Sequence, residues 1–381
     1  MAKIVNCWNE WDPLKRVILG SPVGTCNPYP NISWTNRPPS CPNYFGPLPQ
    51  EMQDVSSEQM NGFQAAMEKR GIKVDRPTLI NTLQPTSTPD WEIPVMRGCQ
   101  PPRDVFLPVG NVILESPMAL RSRWYEYIHF RDILEKYFRE DPDFMWISAP
   151  RPRLSDATFE QGYWECYYNV WDEDDLQERA LDQHWHLTEK EPLFDAADGL
   201  RFGKDVFWQP SMMTNKAGYD WIKRYLESIG IRVHEARYKV EGGTPWHLDG
   251  ILMPLNPGLC MYCPDDPALI PQTAELFRIN DWEMVPCARP VHDLHITMGA
   301  LTERHGTSWL SANTLSLGPK LIVVESRETA YQEQLNQLGL EVIPLPYAET
   351  YAFGGSFHCS TVDVYREGNC EDYFPNQIPG Y

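Results

Sequence analysis

The sequence predicts an α/β protein built from five copies of one strand–helix–turn–strand unit, closed into a pseudo-five-fold ring around a central channel. Short apolar runs open the five units: Arg16–Leu19, Asn111–Leu114, Asp205–Trp208, Gly250–Met253 and Lys320–Val324. After a variable loop, each run is followed by apolar residues three and four apart, the spacing of one helix face. These are Met60, Phe63 and Met67; Tyr127, Phe130, Leu134 and Tyr137; Ile222, Leu226 and Ile229; Ala274 and Phe277; and Tyr331, Leu335 and Leu338. The helices also leave in a shared way, through Gly71-Ile72-Lys73-Val74, Gly230-Ile231-Arg232-Val233 and Gly339-Leu340-Glu341-Val342. Glycine just past a helix caps it, and the alternating triplet that follows begins a strand. Asp143-Phe144-Met145-Trp146 and Asp281-Trp282-Glu283-Met284-Val285 are looser versions of the same exit.

Helix-then-strand repetition alone would also permit a doubly wound sheet. No Gly-rich phosphate loop follows the first run, which weakens a nucleotide-binding version of that fold. No linker divides the chain, so residues 1–381 are expected to form one domain. One insertion stands out, residues 20–59, where prolines alternate with Trp34, Tyr44 and Phe45. The chain holds 35 prolines in 381 residues, near twice the usual ~5%. Such a stretch reads as a surface loop pinned by aromatics, or as a lid over a site.

Composition narrows the function. With 33 Lys+Arg against 52 Asp+Glu the net charge is −19, which opposes phosphate backbones and anionic membranes. Nucleic acid and membrane are therefore not expected partners. No apolar run approaches the ~18 residues of a membrane helix, and the opening residues break into polar ones before a signal segment can form. The ten cysteines read as reduced cytoplasmic thiols. Cys260-x-x-Cys263 lacks a second pair at zinc spacing, and nothing orders His184, His186, His292 or His295 around it. These are taken as packing or surface residues, so no metal is expected.

Four short stretches hold the groups that could do chemistry, the last of them Pro101-Pro102-Arg103-Asp104-Val105-Phe106. In Gly354-Gly355-Ser356-Phe357-His358-Cys359, two glycines let the backbone approach a ligand, and Cys359 is placed above the other cysteines as a nucleophile. His247 and Asp249 alternate by two, so an extended chain would project both from one face. Asp195 and Asp198, like Asp104, are individually more common as turn or cap residues.

Together these motifs resemble the arginine amidinotransferases, related to glycine amidinotransferase, within the guanidino-modifying pentein superfamily. The resemblance runs through Asn9-Glu10-Trp11-Asp12-Pro13-Leu14, Glu115–Arg123, Phe194–Asp198, His247–Asp249 and Gly354–Cys359. It implies a five-bladed α/β propeller, in agreement with the repeats. It also implies that Cys359 attacks the guanidinium carbon of L-arginine and holds the amidino group as a thioether. His247 would then act as the acid and base for the departing and arriving amines, oriented by Asp195. Asp104 and Asp249 would grip the guanidinium nitrogens. Thr244, Trp246, Asp266 and Arg121 are implied as further substrate contacts. No cofactor is required. The partners are arginine and a small amine acceptor, with homodimerisation left open.

The chain departs from that pattern where glycine-accepting relatives place a carboxylate-binding arginine, since Asp266 falls there. Gly306-Thr307 likewise stands where the family carries a serine pair. The expected acceptor is therefore an amine without an α-carboxylate, such as the guanidine-bearing aminoketone used by the saxitoxin-pathway branch. Hydrolysis of the same intermediate by water, glycine or lysine as acceptor, and a non-catalytic guanidino-binding protein are the alternatives.

Overall fold

The computed structural model describes residues 3–35, 45–236, 247–264, 270–291 and 308–381. Five three-stranded sheets share one connection: an antiparallel pair, then a helical crossover to a third strand parallel to the middle one. The first sheet joins Thr361–Arg366, Leu14–Leu19 and Lys73–Asp75, so strands from both ends of the chain share it. The others are Phe106–Val109 with Val112–Glu115 and Met145–Ser148, and Gly199–Phe202 with Asp205–Trp208 and Arg232–Glu235. Leu252–Asn256 with Leu259–Tyr262 and Glu283–Pro286, and Leu315–Gly318 with Leu321–Glu325 and Glu341–Leu345, complete the set.

The apolar runs expected from the sequence are the middle strands in four sheets. In the fourth sheet the run belongs to the outer strand Leu252–Asn256, and Leu259–Tyr262 is the middle one. Both strands of that hairpin are apolar, so the sequence does not distinguish them.

These runs are nearly continuous because successive side chains along a strand enter different cores. Val17 and Leu19 join the first sheet to the fifth, with Leu315 and Val323, whereas Ile18 packs with Phe106 and Ile113 of the second. Leu114 meets Val206 and Trp208, while Phe207 meets Leu252 and Cys260. Met261 meets Ile322 and Val324. Each of these five clusters spans two sheets, and no face of a middle strand is left to water.

The crossover helices are Gln50–Glu68, Arg131–Glu140, Lys216–Ser228, Pro271–Ile279 and Thr329–Gln337. Met60, Phe63, Met67, Phe130, Leu134, Tyr137, Ile222, Leu226, Tyr331 and Leu335 are buried as their spacing requires. Tyr127 and Leu338 are half-buried against the same clusters, and two positions are exposed. Ala274 is exposed, and Thr273, Leu276 and Phe277 form the buried face instead. Ile229 is 44% exposed because it caps its helix and the chain turns away at Gly230. Gly71, Gly230 and Gly339 have φ of 77°, 85° and 82°, the left-handed value expected of a cap. At the fourth exit Asp281 takes that conformation, φ 60°, a place where Asp is tolerated better than most residues.

Residues 20–59 are not loop throughout, since Gln50 already begins the first helix. The described part of the loop is fixed by aromatics. Trp34 stands edge-on to Trp164 at 5.1 Å, and Tyr29 stacks on Phe45 at 5.3 Å. Trp164 lies on Tyr163–Asn169, one of two extra helices between the second and third sheets. Among the described residues no helix is long and apolar enough to cross a membrane.

Candidate active site

The first strand of every sheet is preceded by a short turn, and each turn delivers a polar residue two to four positions before the strand begins. Asp104 ends the turn Pro102–Asp104, and Asp195 leads into Ala196–Asp198. Asp249 lies in the turn Leu248–Gly250, Asn313 follows Ser308–Ala312, and Cys359 precedes Thr361–Arg366. All five are buried. His247 and Asp249 do not alternate along an extended strand as the sequence implied; a 3-10 turn separates them, with His247 itself extended.

Cys359 is held from both sides. Its backbone N–H donates to Asn313 Oδ1 at 3.0 Å, and its thiol donates to Asp249 Oδ2 at 3.3 Å. Asn313 Nδ2 also donates to the Asp249 carbonyl at 2.8 Å, tying the two turns together. Gly355 is required by close approach, because a Cβ there would lie 2.2 Å from Cys359 Cβ and 2.8 Å from Sγ. Burial, and then the charges of Asp249 and Asp104, push the thiol well above its ordinary value.

His247 sits between two carboxylates, its Nε2 3.2 Å from Asp195 Oδ2 and its Nδ1 3.5 Å from Asp104 Oδ1. Burial alone would favour the neutral ring. Asp104, then the bond to Asp195, outweigh it and raise the imidazole to about 10. At neutral pH the pair is therefore thiol and imidazolium.

Arg123 completes the acidic side. It donates to Asp104 Oδ2, to Glu126 Oε2 at 2.7 Å and to the Pro101 carbonyl at 3.1 Å, and lies 3.7 Å from Asp195. Burial lifts Glu126 to about 7 against the pull of Arg123. Ligand atoms of Asp104, Asp195 and His247 lie within 4.8 Å of one another, a donor set a divalent ion could use. Arg123 already lies on both carboxylates and the imidazolium supplies further positive charge, so the cluster is electrostatically compensated without an ion.

Five carboxylate oxygens in and beside the site have no hydrogen-bond donor: Asp104 Oδ1, Asp195 Oδ1 and Asp249 Oδ1, and next to them Glu126 Oε1 and Asp198 Oδ1. Buried acceptors are rarely left so. Three of them near one thiol form a site for a ligand rich in N–H donors and positive charge.

Behind Cys359 lies a chain of ion pairs that the sequence reading did not single out. His358 Nδ1 is 2.7 Å from Asp249 Oδ2, and its Nε2 is 3.1 Å from Glu10 Oε2. Arg201 grips Glu10 with two bonds of 2.7 and 2.6 Å and donates to Asp363 at 2.7 Å. Arg103 and Arg366 also donate to Asp363, each at 3.0 Å. Glu10, Arg103, Arg123 and His358 all lie within or beside the quoted motifs. Arg103 beside Asp104 and His358 beside Cys359 were the available signal, but pairing across turns is invisible in one dimension.

The structure thus brings together Cys359, His247, Asp195, Asp104 and Asp249. Asp198 stands beside them, its carboxylate taking the hydroxyls of Ser211 and Thr214. Arg121 is engaged elsewhere: its guanidinium donates to the Leu154 carbonyl and to Asp156, over the rings of Phe159 and Trp91. Thr244, Trp246 and Asp266 lie outside the described residues, as do His292, His295 and Gly306-Thr307.

A buried thiol and an imidazolium among unfilled carboxylates make a site suited to nucleophilic and acid–base chemistry on a cationic ligand. No family model matches the chain. It is 32% identical over 377 residues to the mitochondrial glycine amidinotransferase of Xenopus tropicalis, covering 96% of this chain and 84% of that protein. It is 33% identical over 376 residues to the L-arginine:L-lysine amidinotransferase of Pseudomonas savastanoi pv. phaseolicola, covering 96% and 95%. A solved amidinotransferase of the saxitoxin biosynthetic pathway from Microseira wollei superposes with a TM-score of 0.81 at 32% identity, covering 97% and 99%. The chain belongs to the amidinotransferase family.

Proposed function

We propose that the chain is a single-domain, closed five-bladed propeller that moves the amidino group of L-arginine to a primary amine by a ping-pong route through Cys359. The observation that carries this is the trio of unfilled carboxylate oxygens on Asp104, Asp195 and Asp249. A guanidinium offers a flat array of N–H donors and one positive charge, the ligand such acceptors suit. The five core clusters, each spanning two sheets, support the propeller. The described cysteines, all free thiols, support a cytoplasmic setting.

The charge pattern gives the steps an order. Asp249 and Asp104 oppose a thiolate on Cys359 until a cation offsets them. An arriving guanidinium supplies that cation, and the thiol proton leaves by way of Asp249, which it already faces. Sulfur attacks the guanidinium carbon, and the C–N bond to the ornithine nitrogen breaks as the His247 imidazolium donates its proton there. Neutral His247 then takes a proton from the acceptor amine, whose nitrogen displaces sulfur from the amidino carbon. The cysteine leaves as thiolate and regains a proton from solvent by way of Asp249, and the imidazolium is restored, which returns the starting pair.

A pH dependence follows. For free enzyme, kcat/KM needs thiolate and imidazolium together. Thiolate grows with pH, and imidazolium is lost only near about 10. The rate of arginine-dependent labelling is expected to climb from about pH 6 to about pH 9, turning over only above that. Because bound arginine favours the thiolate, the kcat profile is expected to sit at lower pH than the kcat/KM profile. Stopped assays across this range check both points, and a flat kcat/KM profile would contradict the assigned protonation states.

We assign as acceptor an amine lacking an α-carboxylate, with a saxitoxin-precursor aminoketone as the leading candidate. Support comes from Asp266 standing where a carboxylate-binding cation is expected, and from likeness to the saxitoxin-pathway enzyme. The test is transfer from labelled arginine to glycine, lysine and the aminoketone in parallel. Preference for the aminoketone is expected; preference for glycine or lysine overturns the acceptor, and citrulline in place of ornithine overturns transfer itself.

A further inference from the structure

The donor itself carries a carboxylate, and the acidic side of the pocket has nothing to hold it. Among the described residues one cation beside the site is not committed to an acid. Arg97 Nε is buried without a hydrogen-bond partner, and the guanidinium makes a single bond, from Nη2 to the Phe353 carbonyl at 3.3 Å. Arg123 and Arg103, by contrast, are ion-paired to Asp104 and Asp363. The placement of Arg97 is deliberate in two ways. Its backbone is fixed by an N–H bond to the Ser122 carbonyl at 2.9 Å. Its head group lies over Gly354, where φ is 107° and a Cβ would come within 2.6 Å of Nη2. Any side chain at 354 would displace it.

Gly354 is the residue before Gly355, which packs against Cys359 Sγ. One residue step, ~3.8 Å, therefore separates the glycine beneath the guanidinium from the glycine beneath the nucleophile. The charge of Arg97 is felt by Glu126, Asp104 and Asp195, which puts it in the same field as the guanidinium-binding oxygens.

We propose that Arg97 is the substrate-binding residue that pairs with the α-carboxylate of the amidino donor, and so selects arginine over decarboxylated guanidines. The assignment rests on the amidinotransferase reading and adds the donor's far end to it. An uncommitted cation beside the guanidinium-binding acids would match a zwitterionic amino acid, which carries both charges. A fork of N–H donors is the geometry that carboxylates take best.

The test needs no acceptor. Formation of the Cys359 adduct is followed by intact mass with arginine and, separately, with agmatine, which has the same guanidinium and no carboxylate. Wild-type protein is expected to prefer arginine. In Arg97→Ala the arginine rate constant is expected to fall roughly 10- to 100-fold, toward that of agmatine, as for loss of a charged hydrogen bond. The agmatine rate should stay within about twofold, which also reports that the variant is folded. Arg97→Lys is expected to fall between. An unchanged arginine-to-agmatine ratio in Arg97→Ala would overturn the assignment, and so would an equal loss with both donors. Failure of wild-type protein to label with arginine would instead sink the underlying amidinotransferase chemistry, and is told apart because it needs no variant.

Discussion

Replacing Cys359 by alanine is expected to lower amidino transfer by about 10⁴-fold or more, since no other group can carry the covalent intermediate. His247→Gln is expected to cost roughly 10²- to 10⁴-fold, the usual range for a positioned acid–base group. The two losses should not add in the double variant, because both residues serve one sequence of steps. Rates of ornithine release from labelled arginine, with folding checked by circular dichroism, measure all three. Asn313 and Asp249 hold the cysteine's surroundings, and the thiol itself donates only one long bond. Its removal should therefore leave the fold intact. Substantial turnover in Cys359→Ala would remove it as nucleophile.

The largest effect on stability is expected at Asp363. This fully buried carboxylate takes hydrogen bonds from Arg103, Arg201 and Arg366, which come from the second sheet's approach, the third sheet and its own strand. Burial opposes its charge, and the three arginines overcome that and hold the carboxyl well below the usual range. In Asp363→Asn the shape is kept but three buried guanidinium groups lose their shared anion. Breaking one such pair costs about 3–5 kcal/mol, a large share of the ~5–15 kcal/mol that holds most domains together. Urea unfolding should show a fall of at least that size. A change under about 1 kcal/mol would mean the network adds little beyond its neighbours. Arg103 also donates to the Cys359 and His358 carbonyls, so activity is expected to fall with stability in this variant.

The repeat was legible because it is a local pattern. Middle strands whose side chains alternate between two cores read as unbroken apolar runs, and helix exits carry glycine for a conformational reason. The fourth unit misled on two counts. Its hairpin is apolar on both strands, and its nine-residue helix is too short for spacing to fix which face is buried. The candidate site was legible in its side chains, as Cys359, His247, Asp195, Asp104 and Asp249 all stand in short polar stretches and the fold collects them. What spacing could not give was compensation. Nothing local says that Arg123 pairs with Asp104, that His358 bridges Asp249 and Glu10, or that Arg121 turns to Leu154 and Asp156. Those pairings join separate turns, over separations as long as the 348 residues between Glu10 and His358.

Transfer through Cys359 requires a covalent amidino group on that one cysteine. Intact-mass analysis of the protein after brief exposure to arginine, without acceptor, tests it most directly. The prediction is a mass increase of one amidino group, localised by peptide mapping to Cys359, absent from Cys359→Ala and discharged when the acceptor amine is added. Ornithine release with no adduct on Cys359, or an adduct on a different residue, would contradict it.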